Sequence, residues 1–269
     1  MKKLHWVLLL FVIGACNNSN TSEEQASDPN RHPDPATLQY SVLNVYPHDT
    51  SSFTEGLLFH EGKMYESTGS GDDNRYVSWM GPVDLKSGKG ERKIILDKQY
   101  FGEGISIFNG KIYQLTYQNH IGFVYDAKTY KKISEFSFPG EGWSLTHDST
   151  NLIMSDGTSK LQYLDPNTLK VIKIVGVEDN NGPVGNINEL EYINGYVFAN
   201  QWLTNYILKI NPNSGKVEGK IDISNLDAEV KRKYTGAETA NGIAFDEASG
   251  KMYVTGKCWP NLYEIKINQ

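Results

Sequence analysis

Cysteine is nearly missing from this chain, with two among 269 residues, Cys16 and Cys258. No multi-bridge disulfide framework can exist, so the core itself must hold the fold. An excess of basic charge is missing too. Lys and Arg total 26 against 32 Asp and Glu, a formal net charge of −6. A phosphate backbone needs a basic face, so nucleic acid is excluded as a partner. The six His, at 5, 32, 48, 60, 120 and 147, include no pair at metal-ligand spacing, and there is no His-Glu-x-x-His run. These gaps argue against a zinc hydrolase. No Gly-x-Ser-x-Gly elbow and no Gly-rich phosphate loop is found, which argues against an α/β-hydrolase or a nucleotide enzyme. The apolar run at residues 6–13 is too short to cross a bilayer.

What that run does instead follows from its flanks. Lys2 and Lys3 precede it, and Ile13-Gly14-Ala15-Cys16 follows. A positive start, a short apolar stretch and a small-small-Cys ending form a bacterial lipoprotein signal. Residues 1–15 are therefore expected to be a signal peptide and Cys16 the lipidated residue. Residues 16–37, rich in Ser, Asn, Glu and Pro, read as a disordered tether. The expected location is an exported, lipid-anchored one on a bacterial membrane, periplasmic or cell-surface. Cys258 is then left as a buried thiol.

The chain is 39% hydrophobic, and residues 38–269 hold all 16 Tyr and many Gly, which favours sheet. A phrase recurs there about every 40–50 residues: an apolar strand, a Gly turn, then an aromatic-rich strand. The copies start at Phe53-Thr54-Glu55-Gly56-Leu57, Phe101-Gly102-Glu103-Gly104-Ile105, Gly140-Glu141-Gly142-Trp143, Asn188-Glu189-Leu190 and Asn241-Gly242-Ile243. Turn phrases opening on Asp84, Asp126, Asp165 and Asn211 separate later strands, because such side chains bond their own backbone. Five copies of about four strands predict an all-β, five-bladed propeller. The fifth copy has room for three strands, so the strand at residues 38–46 is expected to complete the last blade and remove an exposed edge. Residues 224–239 are expected to form a loop or short helix over one face.

Inner strands of a propeller converge on one channel. Glu55, Glu103, Glu141 and Glu189 read as equivalent positions, with Asn241 the fifth. Thr68, Thr116, Tyr117, Trp202, Lys257 and Trp259, at the ends of second strands, would add an aromatic-walled funnel with one lysine. Crowded carboxylates raise at least one pKa, which suits a group that takes and returns a proton near neutral pH. At least two of the four Glu are expected to bond backbone N–H groups of neighbouring blades instead.

With these phrases in order, the chain resembles the plant and bacterial glutamine cyclotransferase family from about residue 48 to 265. The phrases His48-Asp49, Tyr65-Glu66-Ser67-Thr68-Gly69, Met154-Ser155-Asp156-Gly157 and Val254-Thr255-Gly256-Lys257-x-Trp259-Pro260 add to the resemblance. It implies conversion of N-terminal glutamine of peptides to pyroglutamate with release of ammonia, by a monomer using no cofactor and no metal. The implied site is Phe53, Glu55, Glu103, Tyr117, Trp143, Asn188, Trp202 and Lys257. Glu103 would shuttle the proton. Lys257 and Asn188, with Trp indole N–H groups, would hold the oxyanion. Phe53, Glu55, Tyr117, Trp143 and Trp202 would bind substrate. Glu55 stands where the family has Gln and Tyr117 where it has Trp, which bears on substrate preference more than on reaction class. Two other readings remain: a non-catalytic surface propeller binding a peptide or glycan, and a calcium-dependent lactonase-type propeller with a cation on channel carboxylates.

Overall fold

A computed structural model describes residues 34–71 and 73–268. The signal peptide, Cys16 and most of the tether lie outside the described residues. The described chain is a five-bladed β-propeller. Blade one runs outward through Phe53–His60, Lys63–Gly69 and Trp79–Asp84, and its outer edge is broken into Lys89–Gly90 and Ile94–Ile95. Blade two is Gly102–Phe108, Lys111–Thr116, Ile121–Asp126 and Lys132–Ser137. Blade three is Ser144–His147, Leu152–Ser155, Lys160–Leu164 and Val171–Gly176. Blade four is Ile187–Ile193, Tyr196–Gln201, Tyr206–Ile210 and Val217–Asp222. Blade five is Ala240–Asp246, Lys251–Gly256 and Asn261–Ile267, with Tyr40–Pro47 paired antiparallel to the last of these.

Alternation along the strands explains the packing. Each blade presents apolar side chains on both faces, and an apolar layer fills each gap between neighbours. Ile105, Ile107 and Phe123 of blade two meet Leu58 and Met80 of blade one. Tyr113, Leu115 and Val124 meet Leu145, Leu152 and Met154 of blade three. Ile153 and Leu161 meet Leu190, Val197 and Leu208 of blade four. Phe198, Ile207 and Ile221 meet Ile243, Val254 and Tyr263 of blade five. Ala244, Tyr253 and Leu262 meet Leu57, Met64 and Trp79 of blade one. At about 25 cal/mol per Å² of apolar area removed from water, such layers are the main favourable term.

The turn residues behave as their chemistry requires. Asp84, Asp126, Asp165 and Asn211 each accept a bond from the backbone N–H three residues on. Residues 224–239 contain a helix, Ser224–Lys233, which buries Leu226 and Val230 in the layer between blades four and five. The sheet also begins earlier than residue 38. Ala36–Thr37 pairs in parallel with Gly219 and Lys220 on the outer edge of blade four. Both residues are exposed and form no alternating apolar pattern, so nothing in the local sequence marks this contact.

The inner edges facing the channel need partners for their N–H groups. Side chains from neighbouring blades supply them. Leu190 N–H donates to Ser144 Oγ, Tyr192 N–H to Thr146 Oγ1, and Gly242 N–H to Asn200 Oδ1. Glu189 does this twice, accepting from Leu57 N–H at 3.1 Å and Ile243 N–H at 2.9 Å. Blades one, four and five are thereby tied through one carboxylate.

Candidate active site

Strand register decides which side chains converge. Leu57, Ile105, Leu145, Leu190 and Ile243 are equivalent, since they oppose Glu66, Gln114, Met154, Ala199 and Val254 of the second strands. Two residues upstream of each stand Glu55, Glu103, Trp143, Asn188 and Asn241. This is the ring at the channel mouth. It replaces the alignment expected from sequence, because Glu141 falls two residues before its ring position and Glu189 one residue after. In four blades the pairing slips across this point: between Thr54 and Gly56, Gly102 and Ile105, Ile187 and Leu190, and Ala240 and Ile243. A bulge of this kind re-aims a side chain. Of the ring residues at these bulges, Glu55, Glu103 and Asn188 reach the mouth, while Asn241 bonds Thr54 O and Glu55.

The blades can close on this mouth because the residue after the ring position is Gly in blades one, two and five. A Cβ at Gly104 would collide with Ser144 Cα of blade three.

The mouth opens into a cavity of about 600 Å³. Phe53, Glu55, Glu103, Tyr117, Trp143, Asn188, Trp202 and Lys257 all line it, so every site residue expected from the resemblance is brought together. Thr68, Thr116 and Trp259 do not line it. Thr68 and Thr116 hydroxyls bond strand carbonyls, and the buried Trp259 indole donates to Glu238 O at 3.0 Å. Sequence reading missed the rim, which Lys98, Gln99, Gln118, Asn119, Leu203 and Thr239 form. These lie on connections between strands, where no periodic signal exists.

Lys257 Nζ donates to Glu55 Oε1 at 2.6 Å, and both side chains are buried. Asn241 Nδ2 donates to Thr54 O and, at 3.3 Å, to Glu55 Oε2. The Lys257 ammonium also lies 4.6 Å from the centre of the Phe53 ring. The Asn241 amide and the Phe53 ring therefore support one buried ion pair at the mouth, as a desolvated pair requires.

Glu103 differs. It is 5% exposed, and its carboxylate has no hydrogen-bond partner among the described residues. Burial pushes its pKa well above the ordinary carboxylate range. The Glu55 charge pushes it further up, the Lys257 charge opposes, and Glu141 adds a smaller upward push. A carboxylate raised in this way takes up a proton more readily than an ordinary one.

The aromatic wall is ordered by contacts. Trp143 and Trp202 meet edge to face at 5.4 Å between centroids. Phe101 lies 5.9 Å from both Phe53 and Tyr117. The Trp143 indole N–H donates to Glu141 Oε2 at 2.9 Å, and Gln118 Nε2 donates to Glu141 Oε1. The Trp143 indole is therefore committed to Glu141 and does not serve as the oxyanion donor expected of it. Asn188 is 3% exposed and lines the cavity, and its Oδ1 has no partner among the described residues.

The sequence matches the family model described as glutamine cyclotransferase over residues 8–267. It is 38% identical over 234 residues to a glutaminyl-peptide cyclotransferase of Arabidopsis thaliana, covering 86% of this chain and 72% of that protein. Its fold matches the crystal structure of Myxococcus xanthus glutaminyl cyclase with a TM-score of 0.80 and 32% identity, covering 87% of this chain and 99% of that one.

Proposed function

The chain belongs to the glutamine cyclotransferase family and is a glutaminyl-peptide cyclotransferase, and on that premise we propose which of its residues carry the reaction. The substrate is a peptide whose first residue is glutamine. Its α-amine attacks its own side-chain amide carbon, a five-membered lactam forms, and ammonia leaves. Folding the glutamine on itself supplies much of the acceleration, because the step is intramolecular. One proton must leave the amine and one must reach the departing nitrogen. Glu103 takes the first and returns it as the second. The observation that carries this role is a buried carboxylate with its pKa raised and no protein hydrogen bond among the described residues, lining the cavity.

The amide oxygen becomes an oxyanion as the bond forms. Lys257 and the Asn188 amide stabilise it. Trp143, Trp202, Phe53 and Tyr117 enclose the folded side chain and exclude water. Glu55 holds Lys257 in place and sets a negative charge beside the substrate ammonium. The chain works as a monomer, each of these groups coming from one ring.

The test is ammonia release from a peptide beginning with Gln, with Glu103→Gln run beside the wild type. The variant is expected to fold and to lose about 10²- to 10⁴-fold in kcat, the usual range for general acid–base catalysis. Near-full activity in a folded variant would remove Glu103 from the role. We further propose that residues 1–15 direct export and that Cys16 carries a lipid. The Ile13-Gly14-Ala15-Cys16 ending supports this. Cys16→Ser should move the protein from the membrane fraction to the soluble one, and retention in the membrane would refute the anchor.

A further inference from the structure

Behind the Glu55–Lys257 pair lies a second buried ionic group to which the mechanism above assigns no part. His48 is 8% exposed and Glu66 1%. His48 Nε2 lies 3.0 Å from Glu66 Oε1, and His48 Nδ1 lies 2.7 Å from the Trp259 carbonyl oxygen. Glu66 Oε1 also accepts from Thr54 Oγ1 at 2.7 Å, and Oε2 accepts from Ser52 Oγ at 3.1 Å. Both ring nitrogens thus face oxygens that accept. The carbonyl can only accept, and a carboxylate already taking two hydroxyl protons does the same. A neutral imidazole has one N–H and would leave one of these buried oxygens against a bare nitrogen. With Glu66 as a carboxylate, only the doubly protonated ring satisfies both.

The tie joins the segment that leads into the site to the segment that carries its lysine. His48 N–H donates to Pro260 O at 3.0 Å, and Cys258 N–H donates to Ser52 O at 2.8 Å. Between them Cys258 has a φ of 59°, a left-handed conformation that a non-glycine residue keeps only when its surroundings impose it. Lys257 precedes Cys258, and Glu55 follows Thr54 by one residue. We propose that His48 is a positioning residue: as an imidazolium it clamps Glu66 to the Trp259 carbonyl and thereby holds Lys257 against Glu55 for cyclisation. This rests on the cyclotransferase reading.

The charged groups that act on His48 are Glu66 and the adjacent Asp49; Thr255 Oγ1, 3.5 Å from Nδ1, and the Trp259 carbonyl are neutral. Burial alone lowers the pKa of His48, but Glu66, the Trp259 carbonyl and Asp49 outweigh it and leave it raised. The sign follows from that direction. The clamp is complete below the ordinary His value and is lost as pH rises through the raised one.

The test uses the full-length chain with ring nitrogens labelled with ¹⁵N. NMR of the wild type, with His48→Gln to assign the signal, should show both His48 nitrogens protonated at neutral pH. On a Gln-peptide, wild-type kcat should step down on the alkaline side as that ring deprotonates, with KM little changed. His48→Gln should lose about tenfold in kcat, the size of one charge-assisted hydrogen bond, and lack the step. Glu66→Gln, which keeps the shape and removes the charge, should move the step to lower pH. A singly protonated ring at neutral pH overturns the proposal. So does wild-type kcat at every pH in a folded His48→Gln, or an unmoved step in Glu66→Gln. Ring protonation is read without substrate. A chain that shows the imidazolium but cyclises no Gln-peptide therefore refutes the catalytic reading, whereas an active chain with a neutral ring refutes only the clamp.

Discussion

Glu55→Gln tests the electrostatics of the site in two ways at once. Lys257 and Glu55 lie 2.6 Å apart, a gross attraction of about 6 kcal/mol at an effective dielectric near 20. Desolvation of both ions offsets most of this, so the loss to expect is set by leaving Lys257 buried without its counter-charge. That typically costs about 3–5 kcal/mol when one partner of an enclosed pair is removed. The Gln carbonyl can still accept from Lys257, and the pair borders an open cavity. We therefore expect about 2–3 kcal/mol, or about 5–10 °C in Tm for a chain of this size. The second effect is on Glu103. The Glu55 charge raises Glu103 by more than the Lys257 charge lowers it. If Lys257 stays charged, only the lowering influence remains. If it gives up its proton, both influences vanish and the larger, raising one is still the greater loss. Either way the pKa of Glu103 moves down. The acid limb of the kcat/KM profile should shift to lower pH, and the plateau should fall because a weaker base drives proton transfer less well. Thermal unfolding and a pH series with a Gln-peptide read the two effects separately. An acid limb that moves to higher pH, or a Tm equal to wild type, would refute this account.

Glu141→Ala should release the Trp143 indole and cost about 1–2 kcal/mol in kcat/KM, chiefly through KM, with Tm nearly unchanged. Glu189→Gln should destabilise by about 1–3 kcal/mol in chemical denaturation, because an amide offers one acceptor to two backbone N–H groups and sets its own donors against the other. Gly104→Ala should cost about 1–3 kcal/mol or more, since its methyl group would force blades two and three apart; a neutral result would mean the close approach to Ser144 relaxes freely.

The blades and the site residues were legible in the sequence for different reasons. Strand alternation and Asp-led turns repeat, and a repeated pattern survives errors at single positions. The eight site residues came from matching whole phrases, and all eight line the cavity. The ring alignment failed because it matched residue type rather than register: Glu141 stands in blade three, whose inner pair lacks the slip of the other four, and Glu189 stands one place after Asn188. Glu141 and Glu189 looked like equivalents of Glu103, yet one braces Trp143 and the other bonds two inner strands. Of the four Glu, at least two are expected to bond backbone N–H groups of neighbouring blades; Glu189 does so, whereas Glu141 departs from that expectation and bonds the Trp143 and Gln118 side chains. His48 gave no signal either, since a lone histidine in a loop looks the same whether idle or doubly bonded. Its role needs Glu66 and Trp259, which lie far from it in the chain and meet it only after folding.

The partnership of Tyr40–Pro47 with Asn261–Ile267 also governs the order of events in time. The first of these strands is synthesised well before its partner. Until Asn261–Ile267 arrives, blade five lacks this pairing and Tyr40–Pro47 has an open hydrogen-bonding edge. Bringing ends so far apart together costs loop entropy that nearer contacts do not, and such non-local pairing slows folding. Loss of Asn261–Ile267 would therefore leave Tyr40–Pro47 without its partner. Quality control that samples incomplete chains would meet that unpaired edge first.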